Sequence, residues 1–295
     1  MTYVFVINAQ PAKSGLFERI VQKLKPFKDK IKYELYRTVC HRDATRFVSE
    51  CCAKRPEEEI CFVACGGDGT ISEVAAALVG SNNKYLAVMP YGTGNDFVKY
   101  YPGHDFQSIE KLIEAKPSKI DIIKVNDRYS INVCNVGFES SVCAKANAIS
   151  ARGGSHSYTK GLLLSLLSDR FNKIKIAVDG QVITRSRMLL CTLANCRFVG
   201  GEYKCAPKAV NDDGLMDICL IHPIPLLKLA SLLRTYREGR HLDTPRRFLS
   251  YCRGKHVEVT SDTQTQLCLD GEILPGQRFV IDILPRAINL LVPAV

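Results

Sequence analysis

Apolar and polar positions fall into two regimes along the chain. Up to about residue 114, short apolar runs alternate with segments whose apolar residues recur every three or four positions. Tyr3 to Asn8 reads as a buried first strand. After the turn Ala9 to Gly15 comes a helix carrying Phe17, Ile20, Val21 and Leu24. Lys32 to Thr38 is a second strand, and Asp43 to Lys54 a helix with Phe47, Val48 and Cys51 on one side. Ile60 to Ala64 is a third strand, Thr70, Ile71, Val74, Ala75 and Leu78 keep helical spacing, and Tyr85 to Met89 is a fourth strand. This β-α-β-α-β-α-β alternation predicts a parallel sheet with right-handed crossovers and helices on both faces. A further helix is expected near Phe106 to Glu114.

After Ile120 to Val125 the period shortens. Ser130 to Val136, Ile174 to Val178, Met188 to Ala194, Met216 to Ile221, His256 to Thr260, Gln266 to Leu269 and Arg278 to Ile283 alternate, with turn signals between them. Many short strands of this kind predict a mainly antiparallel sandwich or flattened barrel. The expected organisation is therefore an α/β domain over 1–124 and a β-rich domain over 125–287. The apolar tail Ile288 to Val295 is a candidate extra strand of the first domain. Two helices interrupt the second: Thr159 to Ser168, rich in leucine, and Pro225 to Arg240, with Leu226, Leu229, Ala230, Leu233 and Tyr236 on one stripe.

The candidate chemistry sits where apolar strands stop. The third strand ends at Gly66-Gly67-Asp68-Gly69-Thr70, and the fourth at Pro90-Tyr91-Gly92-Thr93-Gly94-Asn95-Asp96-Phe97. Glycines there are expected to allow positive φ and close approach to a ligand, and the free N–H groups of a helix start attract an anion such as phosphate. Loops at the carboxyl ends of neighbouring parallel strands face one crevice. A phosphate cradle of Gly66, Gly67, Gly69 and Thr70, with Thr93 opposite, follows, and Asp68 and Asp96 become candidate Mg2+ holders. Glu73, a turn beyond Thr70, can brace the loop or meet a nucleotide, and capping suits it better. The plain alternative is a strand-to-helix turn with Asp68 as N-cap. Neither a Walker loop nor a G-x-G-x-x-G fingerprint follows the first strand.

Composition narrows the classes. With 295 residues, 46% hydrophobic and 24% charged, the chain is neither disordered nor fibrous. Its thirteen cysteines include no C-x-x-C pair, which favours reduced core residues over zinc ligands. No apolar run reaches the ~18 residues of a membrane span. A cytoplasmic protein is expected. The net charge of +10 lies mostly in the second half, where Lys228 to Lys255 is strongly basic against only Glu238 and Asp243. That run suits a solvated face or an anionic membrane surface, and no nucleic-acid recognition signature accompanies it.

GGDGT, then PYGTGNDF, then Leu269-Asp270-Gly271-Glu272 in this order resembles the diacylglycerol kinase catalytic family, a family of lipid kinases that also includes sphingosine and ceramide kinases. GGDGT alone is shared with NAD kinases and is similar to phosphofructokinase loops. The resemblance implies an NAD kinase-like or phosphofructokinase-like α/β domain joined to a lipid-substrate β-sandwich, with the substrate entering between them. It implies ATP as phosphate donor, Mg2+, and a lipid alcohol, above all diacylglycerol, at the membrane surface. A homodimer is left open. By pattern alone Asp270 and Glu272 read as hairpin surface charge; the resemblance makes Glu272 the general base, Asp270 part of its Mg2+ and water network, and Asp68 the second candidate base. It places Asn8 and Thr38 near the nucleotide, Asp121 at the domain junction, and a structural Mg2+ on the Asp213 carboxylate and the Val210 and Leu215 carbonyls, where an Asn-Asp-Asp-Gly hairpin turn is the metal-free alternative. NAD kinase and a catalytically idle nucleotide-binding membrane adaptor are the competing readings.

Overall fold

The computed structural model describes residues 1–8, 15–137, 145 and 172–295. The turn expected after Asn8 and the helix expected over Thr159 to Ser168 fall outside the described residues. The chain forms two compact units, Met1–Ile122 with Arg286–Val295, and Ile123–Pro285.

In the first unit the strands β1 (Thr2–Ile7), β2 (Tyr33–Arg37), β3 (Ile60–Gly66) and β4 (Lys84–Pro90) pair in parallel in the order β2-β1-β3-β4. The far end of β14 (Glu272–Leu291) adds to β4, also in parallel, with Asn289 opposite Tyr85. The Asn289 amide nitrogen donates to the carbonyls of Ser81, Asn82 and Lys84 and locks that addition. Lys84 is 2% exposed, yet its three ammonium protons meet Pro56 O, Glu58 O and Asn83 Oδ1 at 2.6–3.1 Å, which removes the penalty of burying it unpaired. Because strand side chains alternate, Phe5, Ile7, Val63, Cys65 and Met89 face one way, against α1 (Leu16–Leu24) and α4 (Ile109–Ile113). On the other side α3 (Asp68–Leu78) lies over β3 and β4 and packs against α2 (Asp43–Lys54). Helices thus cover both faces, as the alternation predicts. The helix expected from Phe106 is short, starting only at Ile109 with a Ser108 hydroxyl cap on Lys111 N.

The second unit is antiparallel. β7 (Val133–Gly137), β10 (Leu190–Ala194), β11 (Met216–Ile221) and β12 (Leu249–Gly254) pair in the order β12-β11-β10-β7. β13 (His256–Leu269) is shared: its residues 257–260 pair with β8 (Asn172–Val178), and 267–269 with β7. A register break between Thr260 and Thr265 lets one strand serve both layers. β8 pairs in turn with β9 (Gln181–Met188), and β14 runs back along β13. Between the layers lie Val136, Ile176, Met188, Ile218, Val257, Leu267, Phe279 and Ile281. A single such fully buried side chain contributes about 1.5–3 kcal/mol of burial free energy. The helix α5 (Leu226–Arg237) lays Leu229, Leu232 and Tyr236 on the outer face of β10 and β11.

Several sequence expectations shift here. The strand expected at Ile120 to Val125 is β5 (Pro117–Val125), and Ser130 to Val136 is two strands, β6 (Arg128–Ser130) and β7, because residues 131 and 132 turn to grip a carboxylate described below. Met188 to Ala194 splits into the end of β9 and β10, and β12 lies inside the basic run, where polar outward positions hide its alternation. Cys61, Cys65, Cys134 and Cys191 are fully buried, and burial pushes their thiols well above the ordinary range.

His256 and Asp282 are directly opposed in β13 and β14, with Nδ1 2.7 Å from Oδ1, and Glu258 stands 3.6 Å from Nε2. The hydrogen bond to Asp282 raises the imidazole above its usual value. A raised folded-state value means the stabilisation is complete below the unfolded value and fades as pH climbs through the folded one. Urea unfolding of the His256→Gln variant should therefore lose a step that wild type shows as the pH rises above the ordinary imidazole value of about 6.5. Its size is a few tenths of a kcal/mol, because the ring is 39% exposed and solvent screens it. His222 and His241, held low by burial, act in the opposite sense in both proteins and cancel in the difference.

Candidate active site

In the first unit two loops meet on one carboxylate. Asp68 opens α3, and its Oδ1 accepts the N–H groups of Asp96 at 2.6 Å and Phe97 at 3.3 Å. Asn95, at φ 50, accepts Gly92 N through Oδ1 at 2.8 Å and donates to Gly92 O through Nδ2 at 2.9 Å, tying the second loop into a ring. The glycines work differently from the sequence expectation. None of Gly66, Gly67, Gly69, Gly92 and Gly94 has positive φ; the left-handed residue is Asn95. Their requirement is space. A methyl on Gly66 would collide with Thr70 Oγ1, and one on Gly92 would meet the Gly67 backbone at 2.6 Å. A methyl on Gly69 would meet nothing within 4 Å. Gly92→Ala should thus cost about 1–3 kcal/mol in urea unfolding, while Gly69→Ala should leave stability within about 0.5 kcal/mol of wild type.

Gly67, not Asp68, is the N-cap of α3, and no side chain caps that end, so the start of the helix keeps its anion-attracting character. Thr70 is 6% exposed and its hydroxyl accepts Asn8 Nδ2 at 2.9 Å, so Asn8 ties the end of β1 to the start of α3. Thr38 is buried just past β2, its N–H bonded to Ile7 O, and Thr93 is exposed at the loop tip. Glu73 caps a neighbour rather than its own loop: its oxygens accept Arg42 N at 3.0 Å and Ala44 N at 3.2 Å, anchoring the start of α2. The reason is reach, since α2 packs against α3 and its first N–H groups point at Glu73.

These residues suit Mg2+. A methyl on Gly94 would stand 2.9 Å from Asp68 Oδ2 and 3.5 Å from Asp96 Oδ2, so two carboxylate oxygens border one small space of hard-oxygen chemistry. Lys99 Nζ pairs with the other oxygen of Asp96 at 2.9 Å. Neither Asn95 nor Lys99 was singled out by the sequence; the Asn-Asp pair after a glycine turn was the available signal.

In the second unit Asp270, at φ 46, closes the loop between β6 and β7. Its Oδ1 accepts Ser130 Oγ at 2.7 Å, Asn132 N at 3.1 Å and Val133 N at 3.0 Å, and its Oδ2 accepts Ile131 N at 2.8 Å. The resemblance put Asp270 in a metal and water network; in the structure its oxygens accept the Ser130 hydroxyl and three backbone N–H groups. Glu272, two residues on, is 39% exposed and reachable by solvent, with Arg128 NH1 3.8 Å from its carboxylate. Asp121 is fully buried in the first unit and accepts Arg286 N at 2.7 Å.

The Val210, Asp213 and Leu215 set does not suit a further cation. Asp213 Oδ1 accepts Leu215 N at 3.1 Å, and Oδ2 is ion-paired with the Arg253 guanidinium.

Comparison with known proteins places this geometry. Residues 2–125 match the diacylglycerol kinase catalytic domain, and residues 132–292 the YegS C-terminal NAD kinase beta sandwich-like domain. A diacylglycerol kinase of Bacillus subtilis (strain 168) is 31% identical, with 92% of this chain and 91% of that protein aligned. A probable lipid kinase YegS-like of Pectobacterium atrosepticum is 28% identical over 98% and 95%. The crystal structure of a putative diacylglycerol kinase from Bacillus anthracis str. Sterne shares the fold, with a TM-score of 0.78 at 20% identity over 99% of this chain and 96% of that one. Matched by family from residue 2 to residue 292, and resembling its relatives over nearly their full length, the chain belongs to the diacylglycerol kinase catalytic family of kinases.

Proposed function

We propose that this protein is an ATP-dependent lipid kinase that transfers the γ-phosphoryl group of ATP to a membrane lipid hydroxyl, with diacylglycerol the preferred acceptor and phosphatidic acid the product. The observation that carries this reading is the single carboxylate, Asp68, which joins the uncapped start of α3 to the Gly92–Phe97 loop. A phosphate grip needs both, and similar proteins are named a diacylglycerol kinase and a probable lipid kinase YegS-like.

Each residue has a role in the proposal. The N–H groups at Gly67 to Thr70 receive the terminal phosphates, Asn8 fixes Thr70, and Thr38 and Thr93 contact the nucleotide. Asp68 and Asp96 would hold Mg2+, which when bound offsets phosphate charge. The lipid oxygen attacks the γ-phosphorus, the bond from phosphorus to the bridging oxygen breaks, and ADP leaves with that electron pair. Glu272 takes the hydroxyl proton, late, because phosphoryl transfer runs through a loose transition state. Asp270 acts as a positioning residue for the Ser130–Val133 loop. The basic residues of 228–255 lend a peripheral attraction to anionic membrane, partly spent where Arg234 and Arg240 pair with Glu238 and Arg237 with Glu202.

The test is a radiolabelled ATP assay with Mg2+ in mixed micelles containing diacylglycerol, monoacylglycerol, phosphatidylglycerol or a sphingoid base, and separately with NAD. Phosphatidic acid is the expected major product. A different phosphorylated lipid would reassign the acceptor, NADP formation would move the protein to nucleotide phosphorylation, and no product from any lipid would overturn the proposal.

A further inference from the structure

We infer that Arg253 does at Asp213 the work of a bound divalent cation, so that the turn over 210–217 in the second unit is held by a built-in guanidinium and takes up no Mg2+ of its own.

The turn brings negative charge together by its own geometry. Gly214, at φ 73, folds the chain sharply, and the Leu215 N–H bonds back to Asp213 Oδ1 at 3.1 Å. Two residues into β11, Asp217 is 1% exposed. Two carboxylates four residues apart, one of them buried, repel unless a cation stands between them. A divalent ion is one solution. The register of the neighbouring strand supplies another: Arg253 of β12 is paired with Asp217. Its NH2 meets Asp213 Oδ2, and its Nε lies 3.4 Å from Asp217 Oδ2. Tyr251, two residues back and therefore on the same face of β12, donates its hydroxyl to Asp217 Oδ1 at 2.5 Å.

Both carboxylates are thereby compensated: Asp213 by a backbone N–H and the guanidinium, and Asp217 by a phenol on Oδ1 and by the guanidinium at ion-pair distance from Oδ2, which has no hydrogen bond among the described residues. A planar fork that is always charged can bridge two acids in this way, where a lysine would present a single point. A Mg2+ ion on Asp213 would have to shed water, which it does reluctantly, and displace or abut a fixed positive charge. The guanidinium also has no dissociation equilibrium, so the turn is ordered at any free Mg2+ concentration. The inference rests on the second unit alone and on no step of the proposed reaction.

The experiment reads stability, without nucleotide or lipid. The full chain is melted in EDTA and in millimolar MgCl2. Wild type and Asp213→Asn should show the same Mg2+ response to within about 1 °C, because any Mg2+ held at Asp68 and Asp96 stabilises both alike. Arg253→Ser should melt lower by about 3 °C or more in EDTA, and Mg2+ should restore part of that loss. The double variant Arg253→Ser with Asp213→Asn should respond to Mg2+ no more than wild type does. A wild-type melting temperature that climbs with Mg2+, with the response abolished by Asp213→Asn, would overturn the inference. So would an Arg253→Ser protein that stays at its lowered melting temperature in Mg2+. Should Arg253→Ser fail to fold, Mn2+ binding to wild type and to Asp213→Asn decides: equal stoichiometry supports the inference, and one site fewer in Asp213→Asn overturns it.

Discussion

Asp68→Asn should lower turnover of the lipid acceptor by about 10^3-fold while leaving the melting temperature within a few degrees of wild type. The substitution separates two jobs of one side chain. An amide oxygen can still accept the Asp96 and Phe97 N–H groups, so the joint between the two glycine loops survives. What is lost is the negative charge beside Gly94, where Asp68 and Asp96 border one space. Asp68→Ala removes the joint as well, and should add a stability loss of about 1–3 kcal/mol from two unsatisfied N–H groups. Turnover of Asp68→Asn within a factor of ten of wild type would remove the charge of Asp68 from the proposed chemistry.

Glu272→Gln should reduce kcat by about 10^2- to 10^4-fold, with KM for ATP unchanged and no shift in melting temperature. The expectation of unchanged stability comes from its setting: a side chain 39% exposed, facing Arg128 at 3.8 Å, contributes little to the fold. Asp270→Asn gives the contrasting pattern. Asp270 meets four donors from Ser130 to Val133, so its replacement should lower stability and turnover together. A Glu272→Gln protein with normal kcat would take the base assignment away from this residue.

The α/β alternation was legible because buried parallel strands are nearly all apolar and helices keep their 3.6 spacing, so β1, β3, β4 and α2 read directly from hydrophobicity, while β2, half-buried as Tyr-Glu-Leu-Tyr-Arg, read from its place in the alternation. The second unit was harder. β12 reads Leu-Ser-Tyr-Cys-Arg-Gly, and its polar members face outward or into the Asp213 and Asp217 cluster, which left no apolar stripe strong enough to separate it from the basic run. β13 looked like two strands because Ser261, Asp262 and Thr263 interrupt it where the register breaks. At the site, the loops were visible as glycine clusters, but the reason for the glycines was not. Close packing of Gly92 on Gly67, and of Gly66 on Thr70, is a tertiary fact that composition cannot carry. Glu73 and Asp270 likewise offered only their charge; which backbone N–H groups each would bind depends on elements distant in sequence.

The last residues of β14 carry a consequence for biosynthesis. Residues 286–295 complete the unit begun at Met1, and until they leave the ribosome β4 has an open flank of unpaired backbone groups. The second unit also needs β14, up to Pro285, so neither unit has all its strands until nearly the whole sequence has been made. Trimming even the stretch around Asn289 would leave that flank sticky and the protein prone to clumping in the cell, whatever the state of its catalytic residues.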